Sequence, residues 1–404
     1  MNVKMPPPAH SQNTQRFPPW PAFDEEQIEA AAAVLRSGRV NYWTGEEGRQ
    51  FEREFAAAVG AEHAVAVANG TVALELALHA LDIGPADDVI VPCRTFLATA
   101  SSVAMRGATP IFADVDRHSQ NVTVETLEAV CTPKTKAVIV VHLAGWPCEM
   151  DSIMEWAQSR GLKVIEDCAQ AHAARYQGRP VGSWGDAAAF SFCQDKILTT
   201  GGEGGMLTTN DANVWERAWS FKDHGKSWDA VYHSQQTTVF KWLHSSIGTN
   251  WRLTEMQSAI GRVVLRRLES WVESRRRNAA LLSEGFARQP AIRLTVPPAD
   301  CEHSYYKYYS FLRPELLHPE WTRDRIVRAL QELGIPCGSG SCGEIYREEA
   351  LRRFAPHEPR ANGFELGETG MMFLVHPTLT AEHMAQTVRA VDSVLNTAAS
   401  RAAA

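Results

Sequence analysis

The chain has eight cysteines, yet no two form a C-x-x-C pair and no histidine cluster stands near them at zinc spacing. That excludes a zinc ribbon and a dithiol redox motif. Scattered at 93, 131, 148, 168, 193, 301, 337 and 342, they read as reduced thiols of a cytoplasmic protein. No run approaches the ~18 apolar residues that span a bilayer. Basic residues are not in excess: 40 against 47 acidic ones give a net charge of −7, so neither nucleic acid nor an anionic membrane is expected as partner. Arg-rich stretches such as Arg275-Arg276-Arg277 are short and read as a solvated helix face. No internal repeat is visible. The start carries Pro6-Pro7-Pro8 and Pro18-Pro19 with no apolar segment behind a basic stretch. It does not read as a secretory signal, and residues 1–22 are expected to be a mobile arm.

What the chain has is material for two or three domains, or one large α/β domain with a smaller companion: 404 residues, 45% of them hydrophobic. From Phe51 to about Asn210, short apolar runs alternate with segments of helical period. Ala64-Val65-Ala66-Val67-Ala68, Val89-Ile90-Val91, Ile111-Phe112-Ala113, 137–141 and Lys163-Val164-Ile165 read as strands. Residues 71–81, 96–105, 124–130 and 150–159 read as the helices between them. The fold class is α/β, with a mostly parallel sheet covered on both faces. After Met206-Leu207-Thr208-Thr209 the pattern changes. Residues 222–249 are polar and irregular, 253–286 make one or two long helices, and strand-like Tyr308-Tyr309-Ser310-Phe311 is followed by helices at 324–333 and from Ala381. A large domain over 23–269 and a smaller α/β domain over 270–404 are expected, the latter ending in a frayed helix over 398–404.

Ligands of open α/β sheets bind outside the carboxyl ends of the strands, and four features fall there. The strand-like run Ala188-Ala189-Phe190-Ser191-Phe192 is followed by a lone lysine, Lys196, then Thr199-Thr200-Gly201-Gly202 and Gly204-Gly205. The lysine precedes the glycines and no G-K-[ST] follows them, so this is not a P-loop. A lysine beside hydroxyls and free backbone can form a Schiff base with a phosphorylated aldehyde, which points to pyridoxal 5′-phosphate (PLP). Asn69-Gly70-Thr71 lies between a strand and a helix, where free N–H groups and the helix dipole attract phosphate; taken alone, Thr71 also reads as a helix cap. Phe96 follows a strand exit and can stack on a flat ring or fill a core. Glu166-Asp167-Cys168-Ala169-Gln170-Ala171-His172 follows the strand at 163–165. A buried carboxylate there needs a partner, and a protonated pyridine nitrogen suits it. The strand alone does not choose between the two acids. Gln170 can reach the phenolic oxygen of the ring, and His172 reads as a structural histidine.

These segments, with Gly248-Thr249-Asn250-Trp251-Arg252-Leu253-Thr254-Glu255, resemble the DegT/DnrJ/EryC1/StrS family of PLP-dependent sugar aminotransferases. The resemblance runs from roughly Phe23 to Leu395. It implies fold type I, with a seven-stranded, mostly parallel sheet between helices and a smaller C-terminal α/β domain. It implies that Lys196 carries the cofactor and Asp167 meets the pyridine nitrogen. Gln170 would lie near the ring hydroxyl, Phe96 would stack on the ring, and Gly70, Thr71 and Ser191 would hold the phosphate. Asn250 would reach the phosphate of the neighbouring subunit, so a homodimer is implied. Arg252 and His376 are candidate substrate contacts, Arg252 equally a structural ion pair.

The implied activity is amino transfer from an amino acid, L-glutamate, to a keto-sugar nucleotide, for an amino sugar of a surface polysaccharide or secondary metabolite. Departures from the family pattern stand at Cys193-Gln194, where many relatives have His-Pro, and at residues 337–346. Trp20-Pro21 and Tyr42-Trp43-Thr44-Gly45-Glu46-Glu47 look similar to relatives that act on ketocyclitols or make aminohydroxybenzoate. Related sugar dehydratases replace the lysine with histidine, which Lys196 argues against. A PLP-binding regulator without turnover is the alternative outside catalysis.

Overall fold

Strands that are apolar along their whole length must be covered on both faces, and the helices between them supply that cover. A computed structural model of the protein describes residues 16–233 and 243–399. The first strands are β1 His63–Val67, β2 Asp88–Pro92, β3 Thr109–Ala113, β4 Thr135–Val141 and β5 Lys163–Asp167; then come the short β6 Arg175–Tyr176 and β7 Arg179–Pro180, and β8 Ala187–Ser191 and β9 Gly205–Thr209. All but β6 and β7 form one seven-stranded sheet in the order β1-β9-β8-β5-β4-β2-β3. Only β9 runs against its neighbours, β1 and β8; the other pairings are parallel. The strands expected from the apolar runs are all present.

Helices α1 Glu25–Ser37, α2 Glu47–Val59, α3 Gly70–Ala80 and α4 Leu97–Met105 open the chain. α3 buries Ala73, Leu74, Leu76, Ala77, Leu78 and Ala80 against β8 and β9, which aims its N-terminus at the strand ends. The long helical stretch is two helices, Glu255–Leu265 and Leu268–Phe286. The second serves two cores. Leu268 and Val272 pack with Phe51, Phe55, Phe190 and Phe192, while Ala279, Leu282 and Phe286 pack against a second sheet. That sheet is built of β10 Ile292–Arg293, β12 Tyr308–Leu312, β13 Cys337–Gly338 and β14 Gly370–Phe373, in the order β10-β12-β14-β13, all antiparallel. β11 Cys301–Glu302 joins β6 and β7 instead.

Of the arm expected over 1–22, residues 1–15 lie outside the described residues. From Phe17 to Trp20 the chain is packed: Phe17 meets the His383 ring, Pro19 accepts from the Thr378 hydroxyl, and Trp20 stacks on His376. The irregular stretch at 222–249 contains a short helix, Trp228–Tyr232; its residues 234–242, and residues 400–404 of the expected frayed end, lie outside the described residues.

Candidate active site

Lys196 sits five residues beyond the end of β8, in a turn that its own sequence closes. Its N–H donates to Cys193 O at 3.0 Å, and Thr199 and Thr200 both return to Phe192 O. Gly201 and Gly202 take φ of 88° and 134°, a backbone that favours glycine. The glycines thus turn the chain back into β9. A cleft of about 900 Å³ opens beside this turn, between the large sheet and the smaller domain. Gly70, Thr71, Phe96, Asp167, Gln170, Ser191 and Lys196 all line it.

The two acids at the end of β5 separate by strand alternation. Glu166 Oε2 accepts from His142 Nε2 at 3.0 Å and Gly182 N at 2.8 Å; Oε1 accepts from Trp184 N and Gly185 N, both at 2.8 Å. Burial pushes its carboxyl up, but the His142 bond and the backbone N–H groups outweigh that and hold it below the ordinary value. Glu166 is satisfied and absent from the cleft wall. Asp167 faces the cleft with two donors, the Thr99 hydroxyl at 2.9 Å and Ala169 N at 3.2 Å. Here burial wins: the carboxyl is raised, with Thr99, Ala169 and the Lys196 charge offsetting only part of it. A cation brought beside Asp167 would restore its ionised form, so Asp167 is the acid free to meet a ring N–H.

Gly70, Thr71 and Ser191, the residues expected to hold phosphate, line the same cleft. Asn69, not Thr71, caps α3, its Oδ1 accepting from Val72 N at 3.0 Å. The Thr71 hydroxyl and the first N–H groups of α3 are therefore left for a ligand. The approach is close enough to require glycine at position 70, where a Cβ would lie 2.6 Å from Ser191 Cβ. Position 205 is as tight: a Cβ there would meet Asn69 O at 2.4 Å. Phe96, though aromatic, leaves 69% of its surface exposed at the cleft, so it is no core residue. Gln170 Oε1 accepts from Ala144 N at 2.7 Å, which turns the amide N–H groups toward a ligand. Carboxylate, lysine, flat ring and phosphate cradle fit PLP.

The whole of residues 21–392 matches the DegT/DnrJ/EryC1/StrS aminotransferase family. The chain belongs to that family. It is a PLP-dependent aminotransferase of fold type I, with PLP as its cofactor. An aminotransferase of Psychrobacter cryohalolentis is 50% identical, superposes with a TM-score of 0.93, and is matched over 95% of this chain and 99% of that one. The UDP-N-acetyl-3-dehydro-α-D-glucosamine 3-aminotransferase of Acidithiobacillus ferrooxidans is 42% identical over 72% of this chain and 73% of its own length. The dTDP-3-amino-3,4,6-trideoxy-α-D-glucose transaminase of Streptomyces venezuelae is 41% identical over 85% and 86%.

Against this family frame, three residues named from the sequence stay outside the cleft of their own chain. Asn250 is exposed and bridges to Asp223. Arg252 Nη1 donates to the buried Asp223 at 2.7 Å, and Asp223 also holds Lys226 at 2.9 Å and Trp43 Nε1 at 2.8 Å; within this chain Arg252 is the structural ion pair. His376 is buried behind Trp20, and burial with nearby cations drives its imidazole down to about 3, so it is neutral. Trp20 Nε1 donates to the Lys196 carbonyl at 3.0 Å. Tyr42, of the ketocyclitol-like stretch, binds Glu52 in the core. His172 is buried between Phe190 and Phe192. Residues to which the sequence reading gave no site role also line the cleft: Asp195, Tyr306, Lys307 and Tyr309. Asp195 accepts from the Tyr306 hydroxyl and lies 3.9 Å from Lys196 Nζ. Its adjacency to Lys196 was the one available signal; Tyr306 and Lys307 come from more than a hundred residues away.

Proposed function

We propose that the protein transfers the amino group of L-glutamate to the ketone of a keto-sugar nucleotide, for an amino sugar of a surface polysaccharide or secondary metabolite. The observation that carries this reading is one cleft in which Lys196, Asp167 and the Gly70–Ser191 cradle converge, in a chain whose curated relatives include UDP- and dTDP-sugar transaminases.

PLP, when bound, supplies an aldehyde that carries the amine and a ring that accepts the electron pair of a broken C–H bond. The protein's share is positioning and proton movement. With the cofactor in place, the Lys196 amine would take the proton from the donor's α-carbon as base and deliver it as acid to the carbon that had been the cofactor's aldehyde. Asp167 holds a proton at the ring nitrogen. Gln170 donates toward the ring oxygen, Phe96 covers one face, and Gly70, Thr71 and Ser191 anchor the phosphate. Trp20 and the Phe192 carbonyl turn keep the backbone of Lys196 from shifting.

The working form is proposed to be a homodimer in which Asn250 reaches the neighbouring site. Asn250 is exposed away from its own cleft, and Ile247 close by leaves 89% of its surface open, an apolar side chain that suits an interface. Arg252 would act on substrate only by reaching across that interface. The eight cysteines are unpaired thiols, which fits a reducing, cytoplasmic setting; among the described residues no helix is long and apolar enough to cross a membrane.

The test is spectroscopic. Holoenzyme mixed with L-glutamate should lose its visible cofactor absorbance, and the right acceptor should restore it. A panel of UDP-, dTDP- and GDP-linked keto sugars with scyllo-inosose identifies that acceptor. No absorbance change with any amino donor sinks the transaminase reading in favour of a PLP-binding regulator; recovery with scyllo-inosose alone sinks the nucleotide-sugar acceptor.

A further inference from the structure

Both substrates of such a reaction are anions, and the cleft holds few cations to receive them. Among the described residues that line it, only Lys196 and Lys307 carry positive charge, beside the acids Asp167, Asp195, Glu203 and Glu348. Lys196 is committed to the cofactor. The nearby arginines Arg94, Arg275 and Arg252 do not line the cleft. Arg94 is fully buried and binds Gln120 Oε1 and Ser341 O; Arg275 is buried on the Tyr306 carbonyl; Arg252 holds Asp223. The free N–H groups of α3 face the phosphate cradle. Among the described side chains that line the cleft of one chain, Lys307 is the cation that remains.

Its placement suits the task. Lys307 stands just before β12, and its Nζ lies 4.7 Å from the centroid of the Tyr306 ring. The Nζ of Lys196 lies 4.7 Å from the same centroid. Both amines therefore lie against one ring and open to one cleft. Tyr306 is itself fixed, its hydroxyl donating to Asp195. That bond occupies Asp195 Oδ2, and among the described residues no carboxylate comes within ion-pair distance of Lys307. Burial, opposed by Asp195 and helped by the Arg275 and Lys196 charges, brings its ammonium down to about 8. It is a cation short of counter-charge, and an incoming anion would supply it.

We propose that Lys307 is the oxyanion-binding residue of the substrate subsite, its ammonium taking an oxygen of the anionic group nearest the reacting carbon. That group is the α-carboxylate of the donor or the diphosphate of the acceptor. A ping-pong enzyme admits the two in turn through one cleft, so one lysine can serve both. This rests on the reading of the protein as a nucleotide-sugar aminotransferase.

The experiment compares wild type, Lys307→Met and Lys307→Arg as PLP-loaded holoenzymes by calorimetry, with glutarate as an unreactive dicarboxylate and UDP, dTDP and GDP as diphosphates. Loss of a charge-assisted hydrogen bond should weaken binding of at least one probe class by about 10–100-fold in Lys307→Met. Lys307→Arg should stay within about threefold, and added salt should weaken wild type but not the methionine variant. Loss confined to glutarate assigns the lysine to the donor carboxylate, loss confined to a nucleotide assigns it to the diphosphate, and loss of both assigns it to each in turn. The proposal is overturned if a folded Lys307→Met holoenzyme binds both classes as wild type does, or if wild type binds neither. Wild type that binds glutarate but no nucleotide, and accepts no nucleotide sugar, removes the acceptor reading instead; the glutarate arm then still decides Lys307.

Discussion

Glu166 and Asp167 are neighbours on one strand, both buried, and they do opposite things. On the Glu166 face, four N–H donors close around one carboxylate and the loop 182–185 is tied to β5. On the Asp167 face, a carboxylate of the same charge has one hydroxyl and one N–H and looks into a cleft. The first arrangement contributes to the fold. The second leaves a charge that the fold alone does not satisfy, which is how a binding site differs from a well-made core.

The largest expected effect comes from the open face. Asp167→Asn should slow the glutamate half-reaction by about 10²–10³-fold, read by stopped-flow absorbance, because a neutral amide cannot hold the ring proton. Its fold should not suffer. Glu166→Gln should do the reverse: about 1–3 kcal/mol lost in urea unfolding, as an amide N–H₂ is set against N–H donors. The half-reaction rate per folded holoenzyme should stay within about threefold of wild type. Equal rate losses in the two variants would dissolve the contrast.

Acid separates the faces more gently. The Asp167 carboxyl is raised above its ordinary 3.8 in the folded protein, so it favours folding below that value and the benefit is lost as pH rises through the folded value. The Glu166 carboxyl is lowered from 4.5, so it favours folding above that value and the benefit is lost as pH falls through the folded value. Cofactor-free Asp167→Asn should therefore melt above wild type at neutral pH, and Glu166→Gln below it, with both gaps closing on acidification. Gaps of the same sign would contradict the assignment. The smallest effect is expected at Phe96. Phe96→Leu keeps apolar cover but loses stacking, and PLP affinity should fall by about 2–10-fold in equilibrium dialysis.

The sheet was legible because buried parallel strands are unbroken apolar runs, as at 137–141. Other elements left weaker marks. α1, Glu25–Ser37, carries four consecutive alanines and only a thin apolar stripe. The break between Leu265 and Leu268 falls at Arg266-Arg267, where no glycine or proline announces it. Lys196 could be found because strand, hydroxyls and glycines adjoin it in sequence. The choice between Glu166 and Asp167 could not be made from the strand, since what decides it is the face each one meets. Thr99 reaches Asp167, and Tyr306 and Lys307 reach the cleft, through tertiary packing, and nothing beside them in the chain signals it. Asn250 shows the other limit: its proposed role lies across an interface that one chain's pattern does not describe.

The most direct measurement is to reduce the holoenzyme with borohydride, digest it, and locate the pyridoxyl label by mass spectrometry. The label should fall on the peptide containing Lys196 and disappear in Lys196→Ala. A label on Lys307 or Lys226 instead, or none at all in a protein saturated with the cofactor, would contradict the account.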